Sequence, residues 1–202
     1  MPELSGGAPE GERDRGPVVV VSGAPGSGKT TYARRLSKDL GLEYFTSGSI
    51  FREMARRMGV SLEELSLLAE RDPRIDLEID RTVVGLAMRG GIVIDSHLAG
   101  WVLAGIADVA VLVKAHPTVR IARISEREGR GVWSVARETF LRESSQWRRF
   151  SRFYGYDITD YTPFDLVVDT SIIGPDETYN IIKMFVVYKL ARLGYLRSPA
   201  NL

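Results

Sequence analysis

Gly23, Ala24, Pro25, Gly26, Ser27, Gly28, Lys29 and Thr30 fill the pattern G-x-x-x-x-G-K-[ST] completely. The chemistry of that spacing is anion binding. Glycines let backbone N–H groups converge on phosphate oxygens with no side chain in the way. A helix that starts at the lysine adds the positive end of its dipole. Lys29 is then placed for the β- and γ-phosphates of a nucleoside triphosphate, Thr30 for Mg²⁺, and Thr31 for the phosphates beside it. A chance glycine turn would lack the flanks. Here a β-branched run precedes the loop and a helical pattern follows it.

Three other regions carry groups suited to a second phosphate. The first is Ser47, Gly48 and Arg52, at the start of a helix after a short strand. The second is Asp95, which ends an apolar run, with His97 just beyond. An acid at that place commonly orients Mg²⁺ through water. The third holds Arg120, Arg123, Arg127 and Arg130, three or four residues apart and so within one arc of a helix. Gly129 and Gly131 break that helix and leave Arg130 on a tip. Farther on, Arg142 and Arg149 share a face with Gln146 between them. Arginine forms planar, bidentate contacts with phosphate oxygens. Phosphoryl transfer needs little more than in-line positioning and neutralised oxygens. The guanine-reading pattern N-K-x-D of signalling GTPases is absent. A small acceptor is the expectation. Two histidines, His97 and His116, argue against a histidine-rich metal site.

The elements that must position these groups alternate. Residues 18–21, 92–94, 109–113 and 166–168 are continuous apolar runs, as suits strands buried on both faces of a parallel sheet. Residues 43–45 form a short strand. Residues 29–40 read as a helix with Ala33, Leu36 and Leu40 on one face and Gly41 as its stop. Ser61 and Glu64 form a capping box. Asp72-Pro73 starts a helix with Ile75, Ile79, Val83 and Leu86 toward the core. Residues 117–128, 134–154 and 175–192 are also helical. The order implies a three-layer α/β P-loop NTPase fold with a mainly parallel central sheet.

The chain of 202 residues is 44% hydrophobic, enough for one domain and one core. Residues 1–16 read as a disordered extension and 17–197 as the domain, without repeats or an internal linker. The 27 basic residues nearly balance 26 acidic ones, so no global field points to a stable nucleic-acid partner or a membrane surface. No cysteine is present, which excludes disulfides and thiolate metal sites. No stretch reaches the ~18–20 apolar residues of a membrane helix, and the N-terminus lacks a signal peptide's apolar core. A cytoplasmic monomer is expected.

The ordered set of short strings resembles archaeal-type cytidylate kinases. S-G-x-x-F-R at 47–52 is similar to their monophosphate site, and L-A-G-W at 98–101 to their E-G-R-L-A-G-W. D-P-R-I-D-L-E-I-D at 72–80, R-E-G at 127–129 and D-L-V-V-D-T-S at 165–171 also match. The resemblance spans residues 18–171. It implies transfer of the ATP γ-phosphate to CMP or dCMP with Mg²⁺ as cofactor. Ser47 would touch the base and Arg52 would grip the monophosphate, with Gly48 in the turn between. An arginine-rich lid would bring Arg127 and Arg130 over the phosphates, with Arg123 behind. Arg142 and Arg149 would flank the position that reads cytosine, where Gln146 stands in place of an acid. The Gln146 carbonyl could accept from the cytosine amine. Ser144 replaces another common Arg. His97 stands where the relatives carry Arg. Free histidine titrates near ~6.5, so acceptor affinity is expected to improve from about pH 8 to pH 6. The alternatives are a kinase for adenylate or a metabolite, and a nucleotide-binding regulatory protein with weak chemistry.

Overall fold

The structure is a computed structural model that describes residues 15–196. Five parallel strands form one sheet in the order β2-β3-β1-β4-β5. They are β1 (Val18–Ser22), β2 (Glu43–Thr46), β3 (Ile92–Ser96), β4 (Val109–Lys114) and β5 (Leu166–Asp169). All five residues of β1 and of β3 are buried. That is why β1 reads as four consecutive valines: both faces of a central parallel strand are covered.

The two faces have separate cores. Val19 and Val21 pack with Tyr32 and Leu36 of α1 (Lys29–Leu40) and with Ile182 and Val186 of α8 (Pro175–Arg192). Val18 and Val20 point the other way, onto Val83 and Ala87 of α4 (Arg74–Arg89) and onto Ala99 in the short α5 (Ala99–Val102). Three layers result. The remaining helices stand over the carboxyl ends of the strands: α2 (Ser47–Met58), α3 (Leu62–Ala69), α6 (Pro117–Glu128) and α7 (Val132–Tyr154).

The expected capping box is present. The Glu64 amide donates to Ser61 Oγ at 3.1 Å, and the Ser61 amide donates to the Glu64 carboxylate at 2.7 Å. Helix α7 begins at Val132 rather than 134, because Gly131 is extended and serves as its N-cap. Phe150, one of its aromatics, is buried. Helix α4 departs further from its apolar pattern. Its buried residues are Asp76, Val83 and Ala87, so a carboxylate occupies the inward face where Ile75 was expected. Most of the expected extension, 1–14, lies outside the described residues. Arg15, inside that extension, donates to the Ile106 carbonyl at 2.9 Å and lies 3.5 Å from Asp108.

Candidate active site

A cavity of about 680 Å³ lies over the carboxyl ends of β1 and β3. Two helices start at it. Helix α1 opens after Gly28 and α2 opens after Thr46, and neither has a side-chain cap at its N-terminus. Uncapped helix N-termini present free N–H groups and a positive dipole end, so each is suited to an anion. A single cavity thus has two corners suited to an anion.

The first corner is the glycine loop. Gly28 sits at φ 96°, a left-handed conformation that lets the chain turn straight into α1. Gly26 has φ 80°, and a Cβ there would lie 2.6 Å from the Arg120 carbonyl. Pro25, Gly26, Gly28, Lys29, Thr30 and Thr31 line the cavity. Gly23, Ala24 and Ser27 shape the loop from behind. Ser27 is fully buried, and its amide donates to the Ala24 carbonyl at 3.1 Å. Burial lowers the pKa of Lys29. Asp95 pulls it back up, while Arg142, Arg127 and Arg120 push it further down. A polyphosphate at this corner would relieve that crowding of cations.

Asp95 stands beside the loop. Its Oδ2 accepts from Thr30 Oγ1 at 2.7 Å and from the Tyr44 hydroxyl at 2.9 Å. Its buried Oδ1 has no partner. A threonine hydroxyl beside a carboxylate with a spare oxygen suits Mg²⁺, which takes one or two protein ligands and fills the rest with water and phosphate. No group of three or more acidic, histidine or cysteine side chains that could hold a metal ion occurs among the described residues. Tyr44, on edge strand β2, was not foreseen as a partner of Asp95.

The second corner is at α2. Ser47, Gly48 and Arg52 all line the cavity. The Arg52 guanidinium lies back toward Gly48, with Nη1 3.2 Å from where a Cβ would be. It makes no ion pair within the described residues. Ser47 Oγ donates to Ser96 Oγ at 2.8 Å, tying α2 to the end of β3.

The arginines of the arc differ in their contacts, and Arg123, Arg127 and Arg130 line the cavity. Arg120 is buried and donates to the Pro25 carbonyl at 3.1 Å and to Glu143. It braces the glycine loop from outside the cavity. Arg123 donates to the Thr170 carbonyl at 2.7 Å and to Thr170 Oγ1 at 2.9 Å. Thr170 in turn donates to the Ser27 carbonyl at 3.0 Å. Arg127 and Arg130 lie at the α6–α7 tip and line the cavity, paired with Glu128 at 2.8 and 3.0 Å. Arg130 also meets Glu138 at 2.7 Å, and Arg142 lies 3.5 Å from the same carboxylate.

On the far wall, His97 Nδ1 faces Gln146 Oε1. Burial, then the charge of Lys29, push the His97 pKa down to about 3, with Arg120 and Arg142 acting in the same direction. A pKa so low keeps the ring neutral at pH 6–8 in the unliganded chain, against the protonation expected there. Arg149 reaches the wall as expected but is not a free cation. It is buried and paired with Asp76 at 2.5 Å. Asp76 and Asp80 were missed as site residues. They lie one turn apart on α4 and both line the cavity. Their signal in the sequence was an acidic pair on the apolar side of a helix. Burial raises the Asp76 pKa against the pull of Arg149. Burial and the neighbouring Asp76 raise that of Asp80 to about 6, although the Tyr154 hydroxyl donates to it.

Residues 22–140, more than half of the chain, match the AAA domain family, and the chain belongs to it. A cytidylate kinase of Aeropyrum pernix is 55% identical over 163 residues, which cover 81% of this chain and 95% of that protein. The chain belongs to the cytidylate kinase family. Other family members agree. Those of Desulfurococcus amylolyticus and Staphylothermus marinus are 50% and 46% identical over 169 residues, covering 91% and 96% of those proteins and 83% and 84% of this chain. The fold is shared more widely than this kinase family. Shikimate kinase from Acinetobacter baumannii superposes with a TM-score of 0.53 at 17% identity, over 87% of this chain and 96% of that one. Protein TT1252 from Thermus thermophilus gives 0.56 at 17% identity, over 87% and 98%. No helix among the described residues is long and apolar enough to cross a membrane.

Proposed function

We propose that this chain transfers the γ-phosphoryl group of ATP to CMP or dCMP, giving ADP and CDP or dCDP. The observation that carries the proposal is two anion corners facing one cavity, in a chain whose relatives are named cytidylate kinases. ATP phosphates lie on the glycine loop against Lys29. The acceptor phosphate lies at the start of α2 against Arg52. A phosphate oxygen of the acceptor attacks the γ-phosphorus, and the bond to the bridging β,γ-oxygen breaks toward ADP. Lys29, Arg127, Arg130 and Arg142 neutralise the oxygens on which charge is shared in the transition state. The α6–α7 tip closes over them and keeps water from taking the phosphoryl group.

Thr30 and Asp95 would hold the Mg²⁺ of this reading, which would supply neutralising charge to the phosphates. A cytoplasmic monomer belongs to the same reading. Lys29, Thr30 and Asp95 on the same wall favour catalysis over a purely regulatory binder.

The test is Arg52→Ala, assayed with Mg-ATP and CMP. Arg52 serves only the acceptor corner, so KM for CMP rises about 30-fold or more, as for loss of a charge-assisted contact of ~2 kcal/mol. KM for ATP changes less than about threefold. Equal rises in both constants would remove the two-corner arrangement.

A further inference from the structure

Two hydroxyl groups converge on one oxygen of Asp95. Thr30 Oγ1 donates to Oδ2 at 2.7 Å, and the Tyr44 hydroxyl donates to the same atom at 2.9 Å. Asp95 is only 1% exposed, yet its Oδ1 is buried with no partner. Buried polar groups are rarely left unpaired, and one that is calls for a reason. Shared between the two oxygens, the same two donors would have left neither bare. The pairing instead holds the carboxylate by one side and keeps the other side open.

Tyr44 is built to do this from a distance. In the β2–β3 register Tyr44 lies opposite Val93 and Thr46 opposite Asp95. Residues two apart on a strand share a face, so Tyr44 and Asp95 lie diagonally on one face of the sheet. The long phenol spans that diagonal. Its ring packs against the core cluster that holds Val93 and Leu36. The Arg34 guanidinium lies over the same ring, with Cζ 5.2 Å from the centroid. With the ring held, the hydroxyl has a fixed aim. Tyr44 and Asp95 both line the cavity.

A bare, buried carboxylate oxygen wants a donor. A hydrated divalent cation offers one, because Mg²⁺ gives up its waters reluctantly and their O–H groups point outward. Groups that orient a metal-binding carboxylate without touching the metal have large effects on affinity. We infer that Tyr44 is a positioning residue for the metal: its hydroxyl fixes Asp95 so that Oδ1 stays free to accept from a cation-bound water. The inference deepens the proposed reaction and rests on its Mg²⁺. A tyrosine that merely fills the edge of the core would stabilise the fold and leave the metal untouched.

The experiment measures, by calorimetry, the dissociation constant of the β,γ-methylene analogue of ATP, which cannot transfer its phosphoryl group. Each titration is run with saturating Mn²⁺ and again with EDTA, on wild type, Tyr44→Phe, Asp95→Asn and the double variant, with a thermal melt on each. Phenylalanine keeps the ring and its packing and removes only the hydroxyl. In wild type Mn²⁺ tightens binding at least about tenfold. In Tyr44→Phe that gain falls at least about fivefold, as for loss of an outer-shell partner, while affinity in EDTA stays within about twofold of wild type. In Asp95→Asn the gain is already lost, so adding Tyr44→Phe changes it less than about twofold. A Tyr44→Phe chain that keeps the wild-type gain would overturn the inference. So would an equal loss with and without the metal, or a further loss of the gain in the double variant, since either would mean that Tyr44 does not act through Asp95. Absence of any gain from Mn²⁺ in wild type removes the metal site and this inference with it. Formation of CDP by wild type with Mg-ATP tests the proposed reaction separately.

Discussion

His97 shows how much a single residue depends on its surroundings. The sequence places a histidine where relatives carry arginine, and a titrating contact is the natural expectation. The folded chain sets that ring among Lys29, Arg120 and Arg142 and against the Gln146 carbonyl. Burial first, and then the crowding of a cation there by three others, keep the ring neutral, with its pKa down at about 3. The KM for CMP, corrected for titration of the CMP phosphate itself, is accordingly flat between pH 8 and pH 6. A tightening with an apparent midpoint near ~6.5 would show that His97 is protonated in that range. The P-loop residues were legible for the opposite reason. Their geometry is local, and eight consecutive residues carry all of it. The ion pair of Asp76 was not legible, because its partner Arg149 lies 73 residues away.

At the scale of elements, the strands were readable because a buried parallel strand leaves a continuous apolar run. The helix α4 was read less well. Its inward face mixes Val83 and Ala87 with Asp76, and Asp80 lies one turn on. That arrangement has a consequence for stability. The Asp80 pKa rises from 3.8 to about 6 in the folded chain, with burial as the main cause and Asp76 adding to it; Tyr154 and Arg149 oppose the rise. A carboxyl with a raised pKa holds its proton more tightly when folded. Folding therefore takes up protons between about pH 4 and pH 6, and stability falls as pH rises through that window. Asp80→Asn removes this term and still offers an oxygen to the Tyr154 hydroxyl. The variant matches wild type near pH 4 and is more stable at pH 7 by on the order of 1–2 kcal/mol, discounted for partial exposure. Comparing the two chains by urea unfolding across pH cancels the opposing effect of His97, which folds neutral and costs stability as pH falls below about 6.5. A difference that does not vary with pH would mean that Asp80 is ionised normally.

The whole molecule brings the glycine loop, the start of α2, the α6–α7 tip and the α4–α7 wall around a single cavity. The α/β class followed from the alternation of patterns, and the break between α6 and α7 from the glycines at 129 and 131. The division of the arginines did not. Arg120 and Arg123 share an arc with Arg127 but brace the loop through Pro25 and Thr170, a role that spacing along α6 cannot reveal. The central claim is that the cavity phosphorylates a cytidine monophosphate. Its most direct test is the rate of nucleoside diphosphate formation with Mg-ATP and, in separate reactions, CMP, dCMP, UMP and AMP, with Lys29→Ala as control. The account predicts CDP or dCDP formation with kcat/KM at least about tenfold above that for UMP and AMP. The control should lose about 3 kcal/mol or more of transition-state stabilisation while remaining folded. Preferred phosphorylation of AMP, or ATP binding with no diphosphate formed from any acceptor, would contradict it.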